Sequence, residues 1–306
     1  MASPDRIPNL GDRLGFRGVL ILSWVFRKLS LRVARIFAES IANILSGVIK
    51  LRRNVALKNL NRAFPANSTV ENEIIFKKCW RHFLRVGAEL ARLPDLDSGS
   101  LDKNISFPDM NVLEKAIKQD MGVIAVSAHI GNWEWMGSSI SSLGHDVTYV
   151  VTSQSNPLVE NWMNEIRQVT GINTVHKRSA AKVILKALKK KGIVAMLCDQ
   201  NAGKSGTFTP FFGTLASTPR GPAVFHLKTR APVVFVSATI NRDDKYTVTC
   251  EELQFQGLTG DLETDENLIM AQITSRIENE VRKFPEQWLW LHRRWKTRPP
   301  SEIEAA

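Results

Sequence analysis

The spacing of apolar residues changes character about a third of the way along the chain. Up to about Ala91 apolar positions recur at helical intervals; beyond the stretch Pro94–Gly99, short apolar runs alternate with helical patterns. The runs predict strands near 122–127, 146–151, 193–198, 232–240 and 245–251. The periodic stretches between and after them predict helices near 110–119, 133–142, 157–169, 179–191 and 265–284. Ser68 and Thr69 are placed to cap a further helix running to about Ala91, with Glu71 and Glu73 in its first turn. Ile269, Ile273, Ile277 and Val281 give the last helix an apolar stripe, and Gly192 stops the lysine-rich end of the helix before it. Such alternation predicts an α/β fold, a mixed sheet with helices on both faces, over residues 65–298. An N-terminal amphipathic helical region occupies 1–64, a tail occupies 299–306, and Pro94–Gly99 reads as a linker.

Charge adds a second layer. Of the 306 residues, 41 are Lys or Arg and 30 are Asp or Glu, and the excess sits at the two ends of the chain. Residues 1–64 hold twelve basic residues against three acidic ones, and residues 282–298 hold six against one, so both ends suit an anionic partner. VLILSWVF (19–26) is far shorter than the ~20 apolar residues of a spanning helix. Lys28, Arg32, Arg35 and Glu39 form a polar stripe beside Leu29, Val33, Ile36, Phe37, Ile41, Ile44, Leu45 and Val48. Such a helix either lies in a membrane interface or packs on the domain with its stripe in water. In PEQWLWLHRRWKTRP (285–299), Trp288, Leu291 and Trp295 share a face if the segment is helical, and the neighbouring cations suit a membrane interface or single-stranded nucleic acid. No RNA- or DNA-binding signature accompanies them, and nucleic acid is not an expected partner. Cys79, Cys198 and Cys250 lack metal-ligand spacing, predicting no zinc site and a reducing, cytoplasmic setting.

The chemistry concentrates in SAHIGNWEWMG (127–137), where a buried strand ends in a histidine and a tight Gly131-Asn132 turn, with Glu134 in the first turn of the next helix. An ionised carboxylate bonded to one imidazole nitrogen fixes the tautomer and leaves the other nitrogen as a base, which makes a His129–Glu134 dyad able to deprotonate an alcohol. The alternative is a histidine bonded to a loop carbonyl and a glutamate in solvent. Asp199 and Gln200 end a second apolar strand and either face the same cleft or form a local turn. The GKS of DQNAGKSGT is not a phosphate loop, because that motif requires glycine where Cys198 stands, and Cys198 reads as a buried inert thiol. Phe211 and Phe212, beside Gly213 in TPFFGTLASTPRGP, either line an apolar channel or anchor a long loop in the core.

Taken together, these blocks resemble one family pattern. His129-Ile-Gly-Asn-Trp-Glu134 resembles the HX4D/E motif of glycerolipid acyltransferases, in the form found in the late acyltransferases of lipid A biosynthesis. The likeness extends through RRNVALKNLNRAFP, WRHFLRVGAELARL, DQN at 199–201, PFFGTLASTPRGPA, RAPVVFV and PEQWLWLHRRWKTRP. It implies transfer of a fatty acyl chain from acyl carrier protein, or coenzyme A, to a hydroxyl of a lipid A precursor or other glycolipid. The setting it implies is an anionic membrane, the cytoplasmic face of the bacterial inner membrane. By this resemblance His129 is the general base and Glu134 its orienting partner, with no metal or other cofactor. Gly131, Asn132, Asp199, Gln200, Phe211, Phe212 and Arg220 are the candidate substrate-binding positions, the two rings as part of a wall that measures chain length. The chain departs from the pattern at Thr152, where many members carry arginine; Arg167, Arg178 and Arg220 are the candidate substitutes.

Overall fold

The protein is described here by a computed structural model covering residues 6–96, 101, 103–241 and 243–300. The linker expectation falls partly on residues 97–100 and the tail expectation on 301–306, both outside the described residues.

Four helices come first: α1 (Leu10–Lys28), α2 (Leu31–Asn43), α3 (Arg53–Ala63) and α4 (Thr69–Arg92). The start of α4 is set by a capping box in which Ser68 and Glu71 satisfy each other's backbone N–H groups, an arrangement worth about 1 kcal/mol. The alternating part follows as β1 (Ile105–Ser106), α5 (Met110–Ile117), β2 (Val123–Ser127), α6 (Trp133–Ser142), β3 (Val147–Val151), α7 (Pro157–Val169), β4 (Ile172–His176), α8 (Ala180–Lys189) and β5 (Ile193–Leu197). The hairpin β6 (Thr207–Phe211) and β7 (Thr214–Thr218) comes next, then α9 (Gly221–Thr229), β8 (Val233–Ile240), β9 (Tyr246–Glu252) and α10 (Leu262–Lys283).

Among the described residues the main sheet has seven strands in the order β1-β9-β8-β2-β5-β3-β4. All neighbours are parallel except β8 and β9, so the sheet is mixed, as the sequence predicts. The central strands are buried on both faces, which is why they read as unbroken apolar runs. One face carries α5, α6 and α7, and the other carries α8, α9 and α10. Residues 42–63 contribute Ala42, Ala56, Leu60 and Ala63 to the core of this second face, so no break in packing marks the expected boundary at residue 64.

Several elements escape the periodicity. Strand β1 has only two residues and β4 mixes buried with exposed positions, and the two lie at the opposite edges of the sheet. The β6–β7 hairpin closes on Phe212-Gly213, both with positive φ (50° and 69°), a two-residue turn that normally announces itself as Asn-Gly. The turn holds because Phe212 is buried and its N–H donates to Glu278 Oε2 (2.5 Å). Helix α9 starts at the end of the TPFFGTLASTPRGP stretch, in residues for which no apolar period predicts an element.

The segment 285–298 is not the helix its Trp288, Leu291 and Trp295 spacing suggested. After a short 3-10 turn at Pro285–Gln287, Trp288 bridges Ile130 antiparallel, and the chain then passes through successive turns in which the N–H groups of Trp290, His292, Arg294 and Lys296 donate to carbonyls two or three residues back. Trp288, Trp290 and Trp295 are all buried, and their indoles donate to Asp199 Oδ2 (2.7 Å), the Pro285 carbonyl (2.6 Å) and the Thr214 carbonyl (3.3 Å). The bridge and the turn that follows it, not a helical period, put Trp288 and Trp290 inside with Leu289 half-buried between them.

Candidate active site

Strands β2 and β5 are parallel neighbours whose last paired residues are Ser127 and Leu197. Two residues further along each strand stand His129 and Asp199, so the register itself brings them side by side at the carboxyl edge of the sheet. Asp199 Oδ1 accepts from His129 Nδ1 (2.8 Å) and Oδ2 accepts from the His129 backbone N–H (2.9 Å). A carboxylate can only accept, so the proton of the imidazole sits on Nδ1 and Nε2 presents a lone pair. The amide of Gln200 donates to that lone pair at 3.2 Å. The His129 side chain is 20% exposed.

Asp199 is held with unusual completeness. Burial by itself would raise its pKa, but attraction to His129, the two hydrogen bonds from His129 and the one from the Trp288 indole outweigh burial and bring it down to about 2. The closing segment also braces the turn: Leu289 N–H donates to the His129 carbonyl (3.1 Å) and Gly131 N–H to the Gln287 carbonyl (3.0 Å). Arg294 lies behind Asp199, fully buried, donating to Ser217 O (2.5 Å) and Thr218 Oγ1 (2.6 Å); burial lowers its pKa to about 10 against the pull of Asp199.

Glu134 is not the partner of His129. It is buried in the first turn of α6 and faces α7, where Arg167 Nη2 and Nε donate to its two oxygens at 2.5 and 3.1 Å. Its remaining contact is with Trp133, whose indole N–H donates to Oε1 (3.0 Å). The Trp133 ring in turn meets the His129 imidazole edge to face, with centroids 5.0 Å apart.

The other expected substrate positions divide. Gly131 serves the turn: at φ +60°, an added Cβ would lie 1.8 Å from the Ala238 carbonyl oxygen, so no other residue fits. Its carbonyl accepts from His82 Nε2 (3.0 Å), a buried imidazole whose pKa burial lowers to about 4. Asn132 is fully buried as the N-cap of α6, accepting from Trp135 N–H (2.9 Å) and donating to Glu89 Oε2 (2.7 Å), so it does not face substrate. Phe211 and Phe212 lie within an aromatic cluster with Phe64, Trp288, Trp290 and Trp295, which makes them core and not the wall of an open channel. Arg220 pairs at the surface with Glu266 (2.8 Å), its side chain 55% exposed. Gln200 and Asp199 are thus the expected positions that the structure gathers at His129.

Sequence reasoning missed Trp288 as the second holder of Asp199, Arg167 as the partner of Glu134, and Glu89. Glu89, on α4, is fully buried and accepts from Arg35 (2.7 Å), Arg85 (3.2 Å), Asn132 (2.7 Å) and Tyr246 (2.7 Å), tying α2 to the turn. No local pattern signals any of these roles, because every partner except Arg85, one helical turn from Glu89, is distant in the chain.

A buried carboxylate and a partly exposed imidazole that it orients, with the second ring nitrogen left as an acceptor, at the carboxyl edge of an α/β sheet, define a site suited to taking a proton from a hydroxyl. The chain belongs to the bacterial lipid A biosynthesis acyltransferase family, whose model matches residues 13–297, and it is an acyltransferase. It is 27% identical over 281 residues to the lipid A biosynthesis palmitoleoyltransferase of Escherichia coli (strain K12), covering 91% of this chain and 90% of that protein. It is also 24% identical over 260 residues to the lipid A biosynthesis myristoyltransferase of the same organism (83% and 78% covered). A third relative is the phosphatidylinositol mannoside acyltransferase of Mycolicibacterium smegmatis (strain ATCC 700084 / mc(2)155), 24% identical over 254 residues (81% and 80% covered).

Proposed function

We propose that this enzyme moves a fatty acyl chain from a thioester, carried by acyl carrier protein or coenzyme A, to a hydroxyl of a lipid A precursor, with His129 as the general base. The observation that carries the proposal is the Asp199–His129 pair, which fixes the tautomer and leaves Nε2 as an acceptor, met by the Gln200 amide. The acceptor hydroxyl displaces the Gln200 amide from Nε2 and gives up its proton there as its oxygen attacks the thioester carbonyl. Asp199 stabilises the imidazolium, and the Gln200 amide, freed from the ring, donates to the carbonyl oxygen as charge develops on it. When the C–S bond breaks, the imidazolium returns the proton to the thiolate. A positioned base of this kind contributes about 10²–10⁴-fold, and the remainder comes from positioning and oxyanion stabilisation. Glu134, pinned by Arg167, acts on the base at one remove by fixing the Trp133 indole against the imidazole.

The membrane contact in this reading is α1 and α2. Ile21, Trp24 and Ile36 are 64%, 63% and 57% exposed, and Arg13, Arg17, Lys28 and Arg32 stand exposed around them. No helix among the described residues is long and apolar enough to cross a membrane, which suits peripheral attachment. Arg35 leaves the expected basic stripe, because it is buried against Glu89 and Asp244, and Arg27 is paired with Asp95.

The relative that acylates phosphatidylinositol mannoside favours a second acceptor class, a mannosylated phosphatidylinositol. Purified enzyme, incubated with acyl carrier protein and coenzyme A thioesters and a panel of lipid A precursors and mannosylated phosphatidylinositol, decides by mass spectrometry. An added acyl group on the lipid A precursor supports the first reading, an added group on the mannoside alone the second, and product from a folded His129→Ala protein at the normal rate would falsify the assigned base.

A further inference from the structure

Between Glu165 and Asp199 the chain holds eight Lys or Arg residues and no Asp or Glu. One of the eight, Arg167, is buried against Glu134. The other seven, Lys177, Arg178, Lys182, Lys186, Lys189, Lys190 and Lys191, are exposed on α8 and its two flanks. Helix α8 buries Ala180, Ile184, Ala187 and Leu188 against the sheet and turns its cations outward. On this face Lys191 pairs with Asp120. Val183 stands 43% exposed in the middle of the lysines. The neighbouring helix α9 adds Lys228 and, at its end, Arg230, both exposed.

We infer that this outward face of α8 is the docking surface for a small acidic protein that carries the acyl donor. The inference rests on the acyl-transfer reading above and names the partner of that site. Three features of its placement support it. First, α8 begins just past the carboxyl end of β4, on the same sheet edge as His129 and Asp199. From β2 to β4 is three strand spacings, about 14 Å, so a partner seated on α8 lies beside the site, within reach of a flexible arm. Second, the cations run the length of a ten-residue helix, about 15 Å, down to Lys189 and Lys190 at the opposite edge. Of this row only Lys177 and Arg178 stand at the catalytic edge, where a nucleotide-bearing thioester would sit, whereas an acidic helix laid along α8 would meet the whole row, with Val183 as its apolar contact. Third, α8 covers the sheet face opposite to α7, against which α1 packs, so the row of cations and the apolar surface of α1 lie in different layers with the sheet between them. A membrane that takes α1 is thereby not the natural occupant of α8.

The test uses the full chain with Lys182, Lys186, Lys189 and Lys190 replaced by glutamate, and a milder Lys182→Gln, Lys186→Gln variant should the first fail to fold. Binding is measured first, by fluorescence anisotropy of labelled, phosphopantetheinylated acyl carrier protein on the His129→Ala background, which needs no turnover. The expected result is affinity reduced roughly tenfold or more by the reversals, with the wild-type affinity itself falling steeply as salt rises. Turnover is measured next with the same acyl chain on acyl carrier protein and on coenzyme A. KM should rise for the carrier-bound donor alone, kcat at saturation should hold, and binding to phosphatidylglycerol vesicles should be unchanged. Unchanged carrier affinity, an equal loss with both donors, or a loss of vesicle binding in its place would overturn the inference. Absence of transfer from every donor, with carrier binding intact and sensitive to the reversals, would sink the catalytic reading and leave the docking surface standing.

Discussion

The two ends of the chain are alike in composition and opposite in fate. Each is basic and each carries tryptophan among apolar residues, so each suits an anionic or interfacial partner. At the amino end Trp24 is 63% exposed, and its helix rests on α4 and α7 with its apolar face turned outward. At the carboxyl end Trp288 is 1% exposed, its indole holds Asp199, and Arg294 is 0% exposed. Basic and aromatic composition therefore does not distinguish an interface from a core. What distinguishes them is whether the polar atoms find partners. The indoles of Trp288 and Trp295 and the guanidinium of Arg294 have acceptors already in place around β5, β6 and β7, so burying them leaves few donors unmet, whereas α1 has an apolar face that nothing among the described residues covers.

Perturbations at the buried end should be severe and those at the exposed end mild. The largest effect is expected at the carboxylate that the buried end supports: Asp199→Asn should lower kcat by on the order of 10³–10⁴ with the fold intact, because the amide stabilises the wrong tautomer. Steady-state kinetics at saturating substrate checks it, and a variant within a factor of ten of wild type removes Asp199 from the mechanism. Next in size, Trp288→Ala should destabilise by about 3–5 kcal/mol in denaturant titrations, as large-to-small changes in a core do. Trp24→Ala should stay within about 0.5 kcal/mol of wild type in the same experiment. Equal losses at the two positions would erase the contrast.

Proton binding separates the ends further, since residues 1–64 contain no histidine, while His82 and His292 flank the buried end. Burial lowers the pKa of each to about 4, below the ordinary histidine value, so the unfolded chain binds protons that the folded one refuses. Their contribution to stability is complete above about pH 6.5 and is lost as pH falls toward about 4, at up to roughly 1.4 kcal/mol per pH unit for each group. Denaturant midpoints measured from pH 7 to pH 4.5 should show this slope, and His82→Gln should reduce it; an unchanged slope would clear His82. The smallest effect is expected at the exposed end. Replacing Arg13, Arg17, Lys28 and Arg32 with glutamine should weaken binding to anionic vesicles by about 1 kcal/mol per charge and leave kcat with soluble acceptor analogues unaltered. Vesicle binding that survives both the substitutions and high salt would return α1 and α2 to a purely packed role.

The sequence by itself determined the elements whose signal is local. Its apolar runs located β2, β3, β5, β8 and β9, its capping residues located the start of α4, and its strand-to-helix turn located His129. Asp199 was visible too, as the residue that ends a second buried strand. Which carboxylate serves the histidine was decided by tertiary structure alone. Strand order places β5 beside β2, and parallel register carries residues equally far past Ser127 and Leu197 to the same height, so Asp199 meets His129. Glu134, five residues away in sequence, is rotated by the first turn of α6 toward α7 and pairs with Arg167 instead. Sequence proximity fixes what a short stretch of backbone can reach; the partner of a buried side chain depends on which elements the core brings together, and that is written in packing between residues far apart in the chain.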